Sequence, residues 1–191
     1  FYTGFKVNSG EYKLMGLAPY GTPKYTKLIL DNLVDVKEDG SFRLNLKYFN
    51  YCTGLQMTSY KFNDLFGQPE RKINQEINTF FMDIAASIQK ALEYIVIKIC
   101  KDIKKTTSQK HLCMAGGVAL NCVANGKIVK EGIFDDIWIQ PAAGDAGGAL
   151  GAALFASFKK NPKKKIKAKK LDKQKGSLLG PSFNNNEILR S

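Results

Sequence analysis

Two glycine-rich segments, each following a short apolar stretch, carry the residues that could do chemistry. The first is HLCMAGGVALN at 111–121 and the second is IWIQPAAGDAGGAL at 137–150. Each predicts a strand, a glycine turn and a helix, and two such units in tandem predict parallel strands whose carboxyl ends face one crevice. Ligands of open α/β sheets bind in such a crevice, where glycines let backbone N–H groups approach a phosphate or a nucleotide.

The first turn contains Gly116 and Gly117, with Asn121 in the helix expected over about 119–130. Adjacent glycines would allow an adenine or a ribose to pack on bare backbone, and the Asn amide could hydrogen-bond a ribose hydroxyl or a phosphate oxygen. The alternative is a tight β–α turn in which the Asn lies near a helix N-terminus. The residues themselves leave both interpretations open.

The second turn contains Asp145 among Gly144, Gly147 and Gly148, between a strand and a helix that begins near residue 146. A carboxylate at this point could hold a divalent metal beside phosphates. Asp is also a preferred N-cap and gains from the helix dipole, so a cap alone would account for it. The following helix, through 154, is small and apolar all round, which predicts that it is buried and closely packed.

Common catalytic and nucleotide-binding motifs are absent from the sequence. Neither GxGxxG nor a Walker A motif occurs, and His111 is the only histidine, so a histidine-rich metal site cannot be built from this chain. None of the four cysteines forms a CxxC pair. They predict reduced, buried thiols in a cytoplasmic protein.

Several further elements must position these turns. GEYKLMGLAPYG at 10–21 predicts a short helix that ends in a Pro-Gly turn, with Lys13 projecting near that turn. VDV at 34–36 and an alternating, half-buried strand at 42–48 predict a hairpin, and 61–72 predicts a loop. Apolar residues at steps of three and four predict a helix over 73–105, about 45 Å long, which would cover a sheet face.

The net charge of +12 is concentrated in one segment. Ten lysines and a single acid lie between 159 and 175, so this run carries +9 of the total. Such a run is typical of a solvated loop, and a contact with a polyanion is the alternative. The hydrophobic fraction of 44% is typical of a soluble globular protein. No apolar run approaches the roughly 20 residues of a membrane span.

Three blocks taken together resemble the O-carbamoyltransferase family of the nodulation and antibiotic-tailoring type. They are GEYKLMGLAPYG at 10–21, MAGGVALN at 114–121 and PAAGDAGGALGAAL at 141–154. GPSFNNNEI at 180–188 resembles the segment that follows them in that family. The resemblance implies an α/β fold, the RNase H-like half of a domain of the actin-like ATPase (ASKHA) superfamily, similar to tRNA threonylcarbamoyl-transferases.

The resemblance also implies a function and a set of site residues. Enzymes of this family use ATP to transfer a carbamoyl group from carbamoyl phosphate, through carbamoyl-adenylate, to a hydroxyl of a small molecule. Asp145 matches the aspartate that ligates iron or a similar divalent metal, and Lys13 lies in a block that borders the site, where it could contact phosphate or carbamoyl oxygen. The residues that would bind the nucleotide are Gly116, Gly117, Val118 and Asn121 in the adenosine motif, with Gly144, Gly147 and Gly148 in the second turn.

The chain departs from the family in two ways. The upstream HxxxH-type segment that supplies metal-binding histidines is absent, and so is the downstream domain with its GPRALG-type motif. We therefore expect 1–158 to be the C-terminal half of the nucleotide- and metal-binding domain, 159–176 a Lys-rich loop or linker, and 177–191 the start of a linker to a missing domain. The isolated chain would then be inactive without the remainder of its parent chain.

Two alternatives stay open. One is another enzyme of the same superfamily, such as a tRNA threonylcarbamoyl-transferase or a sugar kinase. The other is a non-enzymatic module that binds nucleic acid through the lysine run. The absence of aromatic residues among those lysines argues against nucleic acid as a partner.

Overall fold

The computed structural model describes residues 1–162, 177 and 180–189. The chain divides into two compact units, the first comprising Phe1–Leu112 and Leu120–Trp138, the second Cys113–Ala119 and Ile139–Ser191. It is a mixed α/β protein, as predicted, and its described sheets are small. Its helices and strands are α1 (Glu11–Leu17), α2 (Thr26–Asn32), β1 (Val34–Val36), β2 (Phe42–Leu44), α3 (Tyr60–Phe66), α4 (Thr79–Thr107), β3 (His111–Met114), α5 (Cys122–Lys130), β4 (Asp136–Ile139), α6 (Gly148–Lys160) and α7 (Asn185–Ile188).

Helix α4 organises the first unit. It has 29 residues, or about 43 Å, and confirms the long helix predicted from the apolar periodicity. It begins six residues later than expected because Asn78 caps it, accepting a hydrogen bond from the backbone N–H of Phe81, and Ile73 lies outside it with 80% of its surface exposed. Its principal neighbours in the first unit are the 3₁₀ turn at Ala18–Tyr20 and the helices α1, α2 and α5. The expected packing on a sheet face stays a prediction.

The GLAPYG segment is fixed directly to α4. Helix α1 leads into a 3₁₀ turn at Ala18–Tyr20, as the Pro-Gly pattern predicts. Gly21 must be glycine because a Cβ there would overlap the backbone of Met82. The buried Asp83 carboxylate then accepts hydrogen bonds from the Thr22 N–H at 2.6 Å and from Lys24 Nζ at 2.7 Å. A buried polar anchor on α4 therefore sets the exit from this turn.

An aromatic cluster forms the core beside α4. The Tyr2 ring packs on Phe62 and Phe66, with centroids 4.8 Å and 5.6 Å away, and Phe81 is almost fully buried among them. Tilted and edge-to-face pairs of this kind contribute about 0.5–1.5 kcal/mol each beyond their burial. The Tyr2 hydroxyl donates to the Gln68 carbonyl at 2.6 Å, which pairs the polar end of the buried ring.

Two local predictions for the first unit need correction. Residues 61–72 were expected to form a loop, yet α3 occupies the first half of this segment because Phe62 and Phe66, one helical turn apart, both bury in the core. The hairpin is confirmed, with Val34 opposite Leu44 and Val36 opposite Phe42, but β2 is shorter than predicted and all its residues are exposed. A 3₁₀ turn at Leu46–Tyr48 ends the alternation.

Strands β3 and β4 form the second described sheet. The Asp135 N–H donates to the Lys110 carbonyl and the Gln140 N–H to the Met114 carbonyl, so the residue numbers rise together along both strands and the pair is parallel, as predicted. Gly132, between α5 and β4, has a φ of 61°, the left-handed conformation that glycine commonly adopts after a helix.

The second unit contains α6 and α7. Every residue of α6 is exposed, so the prediction that this small apolar helix is buried is wrong. Helix α7 begins with a capping box between Asn184 and Glu187. The lysine run 163–175, and with it most of the expected linker 159–176, lies outside the described residues.

The four cysteines are free thiols, but only Cys100 is buried. Burial raises the pKa of its thiol. Cys52, Cys113 and Cys122 are exposed, so the expectation of uniformly buried thiols is wrong. None of the helices in the described ranges combines the length and hydropathy that a membrane span requires.

Candidate functional site

The second unit brings the two glycine turns together. The Gly116 N–H, at the end of β3, donates to the Ala143 carbonyl at 2.7 Å, just after β4. This bond continues the parallel pairing of the strands into the turns that follow them. The sequence prediction that both turns lie at one edge of the sheet is therefore confirmed at the level of the backbone.

The first turn presents uncovered backbone. Gly116 has a φ of 97°, a conformation that side chains other than glycine rarely adopt, and the Ala119 N–H closes the turn onto its carbonyl at 3.0 Å. A Cβ added at Gly116 or Gly117 would meet no atom within 4 Å, and Val118 is 54% exposed. The residues predicted to contact adenosine thus offer open space above the main chain.

Asn121 belongs to the first unit and caps α5. Its Oδ1 accepts hydrogen bonds from the Ala124 N–H at 3.0 Å and from Gln89 Nε2 at 3.1 Å, while its Nδ2 donates to Gln89 Oε1 at 2.9 Å. The position near a helix N-terminus, left open by the sequence, is therefore present. A role of Asn121 in binding a ribose or phosphate stays a prediction. One hydrogen of its Nδ2 group would remain available to donate to such a ligand.

A buried polar network extends from this cap along α4. Gln89 is only 8% exposed and donates to Glu93 at 3.2 Å, and Glu93 in turn pairs with Lys127 of α5 at 3.1 Å. The adjacent Lys127 ammonium lowers the pKa of Lys90. Sequence reasoning missed this network, although Gln89 and Glu93 stand one helical turn apart beside the apolar stripe of α4, which is a readable signal for paired polar groups.

The second turn holds Asp145 without using it as a cap. Asp145 opens a 3₁₀ turn, Asp145–Gly147, that leads into α6, and neither helix start has a side-chain cap hydrogen bond. The carboxylate is exposed and has no ion pair or hydrogen bond among the described residues. The capping explanation for Asp145 is therefore wrong, and its role as a metal ligand stays a prediction.

The glycines of the second turn differ in what they permit. A Cβ on Gly147 would overlap the carbonyl oxygen of Ala142, so the main chain must pass close to itself there. A Cβ on Gly148 would meet nothing within 4 Å. Gly144 precedes Asp145 in extended conformation, with a φ of −80° and a ψ of −153°.

Gln140, just after β4, contributes a buried polar atom that sequence reasoning did not find. Its side-chain Oε1 has no hydrogen-bond partner among the described residues, and it lies 3.7 Å from the position of a Cβ built on Gly147. A buried acceptor without a donor is costly and uncommon.

Lys13 lies on α1 in the first unit. Its side chain is exposed, with Nζ 6.0 Å from the centre of the Tyr12 ring. The structure thus unites Gly116, Gly117 and Val118 with the 144–148 turn in the second unit, whereas Lys13 and Asn121 belong to the first.

The described residues do not by themselves make a metal centre. No group of three or more His, Cys, Asp or Glu side chains in the described ranges is arranged to hold a metal ion. Asp145 could supply one carboxylate, but a stable site for iron or a similar metal needs several ligands. The described residues alone therefore cannot form a complete metal site.

Comparison with known proteins defines the family. Residues 1–154 match the family model described as Carbamoyltransferase N-terminus. The chain is 58% identical to protein sll1178 of Synechocystis over 98% of its own length and 30% of that protein's. It is 40% identical to the nodulation protein NolO of Bradyrhizobium diazoefficiens (77% of this chain, 25% of NolO) and 30% identical to protein MJ1058 of Methanocaldococcus jannaschii (80% and 23%).

These matches confirm the resemblance carried by the GLAPYG, MAGGVALN and PAAGDAGG blocks. The chain spans less than a third of the length of the relatives named above. The model match covers both glycine turns and most of α6. The chain therefore belongs to the carbamoyltransferase family, within the region that its model describes as the N-terminus.

Proposed function

We propose that this chain forms the nucleotide-binding part of an ATP-dependent O-carbamoyltransferase. The full-length enzyme would transfer a carbamoyl group from carbamoyl phosphate, through carbamoyl-adenylate, to a hydroxyl of a small molecule. Family membership supports carbamoyl transfer in general. The observation that supports a nucleotide at this place is the bond from Gly116 to Ala143, which sets two glycine turns side by side at the end of parallel strands.

The proposal gives each turn its own task. The uncovered backbone at Gly116 and Gly117 would support the base or ribose, with the exposed Val118 side chain packing beside it. The second turn would face the phosphates, since Gly148 leaves the main chain open there. ATP supplies the adenylyl group that activates the carbamoyl group. An RNase H-like architecture, and a cytoplasmic location consistent with free cysteines, belong to the same proposal.

Two assignments extend this proposal. Asp145 would contribute one ligand to a divalent metal, because its carboxylate is exposed and unpaired in the described part of the chain, and the other ligands would come from outside these residues. Lys13 would contact phosphate or carbamoyl oxygen through its exposed ammonium group. We derive no chemical step through the metal.

Nucleotide binding is tested by filling the space above the first turn. Gly117→Leu in the full-length protein adds a side chain where no atom lies within 4 Å, so the fold should be kept while the proposed base position is blocked. Gly151→Leu, on exposed α6 with equally free surroundings, is the matched control. We expect the Kd for ATP, measured by calorimetry, to rise at least tenfold in the first variant and to stay unchanged in the second. Equal affinities would refute the adenosine assignment.

The metal assignment has an independent test. Asp145→Asn keeps the shape of the side chain but removes its charge, and Asp136→Asn does the same on the exposed face of β4. Metal content measured by elemental analysis of the purified full-length protein should fall in the Asp145 variant alone. Unchanged metal content in both variants would remove Asp145 from the metal site.

The alternative functions have distinct outcomes. A tRNA threonylcarbamoyl-transferase would transfer a threonylcarbamoyl group to tRNA and leave small hydroxyl compounds untouched, whereas a sugar kinase would consume ATP without carbamoyl phosphate. A basic binding module would lose affinity for nucleic acid when 163–175 is deleted, and its binding would weaken steeply with salt. The match to the carbamoyltransferase model favours carbamoyl transfer over all three.

A further inference from the structure

A cleft of about 260 Å³ lies in the first unit, where α2, α4 and α5 meet. Its apolar wall consists of Leu30, Tyr94 and Ile97. The charged side chains that line it are Lys90, Glu93, Lys127 and Glu131. None of the residues in the two glycine turns lines this cleft, so it is separate from the proposed nucleotide and metal positions.

Both carboxylates of the cleft already have a cation. Glu93 Oε2 lies 3.1 Å from Lys127 Nζ, and Glu131 Oε2 lies 3.2 Å from Lys101 Nζ. Lys90, in contrast, forms no ion pair with a carboxylate in the described part of the chain. The lining therefore carries a positive charge that the described residues do not neutralise.

The two lysines of the cleft lie side by side. The Lys127 ammonium is close enough to Lys90 to lower the pKa of Lys90, and this effect outweighs the attraction of Glu93. Neighbouring cations repel each other, and an anion placed between them removes that repulsion. Lys90 and Lys127 together thus favour a negatively charged group at this end of the cleft.

Lys127 is held in position before any ligand arrives. Its partner Glu93 is only 8% exposed and also accepts a hydrogen bond from Gln89 Nε2 at 3.2 Å. Gln89 is fixed in turn by its amide pair with Asn121. A ligand therefore binds an ammonium group whose orientation is already set, which lowers the entropy cost of binding.

The rest of the lining selects the kind of anion. The apolar wall is unfavourable for a strongly hydrated inorganic ion, and the two glutamates repel a dianion more than a monoanion. A cavity of about 150 Å³ can hold benzene, so this cleft has room for a ring or a short chain together with a carboxylate. We propose that the cleft binds a small organic monocarboxylate, with its charge at Lys90 and Lys127 and its apolar body against Leu30, Tyr94 and Ile97.

Carboxylate binding here does not depend on the proposed transferase function, because it involves neither glycine turn. The first test compares ligands on the full-length protein by calorimetry and saturation-transfer NMR. The probes are benzoate, phenylacetate, butyrate and hexanoate, with benzamide and inorganic phosphate for comparison. At least one carboxylate should bind, and benzamide, which has the ring of benzoate without its charge, should bind at least about fivefold more weakly than benzoate.

The second test compares variants. Lys90→Gln removes the unpaired charge, and Tyr94→Ala removes the aromatic part of the wall, both at exposed positions. The matched controls are Lys130→Gln on α5 and Tyr60→Ala on α3, which are exposed and lie outside the cleft. The Kd for the carboxylate should rise about three- to fivefold in Lys90→Gln and about threefold or more in Tyr94→Ala, and stay unchanged in both controls.

Four results would overturn the proposal: none of the carboxylates binds, benzamide binds as tightly as benzoate, phosphate binds more tightly than every carboxylate, or the Kd is the same in Lys90→Gln as in Lys130→Gln. The comparison of benzoate with benzamide needs no substitution, so it remains decisive even if a variant fails to fold. Since ATP and carbamoyl phosphate are absent from these measurements, their outcome is independent of whether the transferase function holds.

Discussion

The Asn121 side chain should stabilise the fold far more than an ordinary helix cap. Asn121→Ala removes the α5 cap, which costs about 0.5–2 kcal/mol in proteins generally. It also leaves Gln89 Oε1, on a buried side chain, without its donor, and an unpaired buried acceptor costs about 1–3 kcal/mol. Gln89 Nε2 also loses its bond to Asn121 Oδ1 but keeps the one to Glu93. We expect a total loss of about 1.5–5 kcal/mol.

Asn78→Ala is the matched control for this prediction. Asn78 caps α4 through a single hydrogen bond of 3.4 Å to the Phe81 N–H and has no side-chain partner comparable to Gln89. Its removal should therefore cost about 1 kcal/mol or less. The assay is urea unfolding followed by circular dichroism, with the slope compared between variants so that a change in midpoint reports stability.

A double-mutant cycle isolates the amide pair. The free-energy cost of Gln89→Leu combined with Asn121→Ala should be clearly less than the sum of the two single costs, since each single change leaves the partner's polar group without its hydrogen bond. If the costs are additive, or if Asn121→Ala costs no more than Asn78→Ala, the reciprocal amide pair does not contribute to the stability of the first unit in the way argued here.

Three further predictions concern the anchors of the fold. Hydrogen bonds from the Lys24 ammonium, the larger cause, and from the Thr22 N–H hold the pKa of Asp83 below its usual range. The ionised Asp83 carboxylate therefore contributes its full stabilisation above about pH 3.9, and this stabilisation is lost as the pH falls through the lowered pKa. Asp83→Asn should flatten the acid limb of a curve of unfolding free energy against pH. Gly147→Ala should destabilise the second turn by about 1–3 kcal/mol, because the added Cβ overlaps the Ala142 carbonyl oxygen. Gly148→Ala should change the stability by less than about 0.5 kcal/mol. Thermal unfolding of both variants measures the difference. Cys100 should resist alkylation by iodoacetamide in the native protein while the other three thiols react, because it is buried and its thiol pKa is raised; mass spectrometry of the labelled peptides checks this.

Local sequence rules worked where the structure depends on neighbouring residues. Short-range patterns predict the apolar steps of α4, the β1–β2 hairpin and the turn at Ala18–Tyr20 within GLAPYG. The structure contains each of them. The start of α4 was misplaced because the Asn78 cap outweighed the continuing apolar steps. Helix α3 was missed although Phe62 and Phe66 lie one helical turn apart, a spacing that the sequence shows.

Contacts between distant residues could not be read in this way. Asn121 and Gln89 are 32 residues apart, and the bond from Gly116 to Ala143 depends on how two strands pair. Exposure was the weakest inference, since composition predicted a buried α6 and buried thiols, whereas the structure exposes α6 and three of the four thiols. Burial depends on what covers a surface, and a sequence pattern describes only the surface itself.

The two candidate contributors to the adenosine motif differ in what they can still offer a ligand. Asn121 already uses Oδ1 twice and Nδ2 once, so a ligand could gain at most one weak hydrogen bond from it. The backbone at Gly117 is uncovered and has open space above it. If the first turn binds adenosine, blocking it with Gly117→Leu should therefore weaken ATP binding more than Asn121→Asp, which keeps the capping oxygen. The reverse order of Kd values would mean that the Asn121 amide, rather than the glycine backbone, carries the recognition.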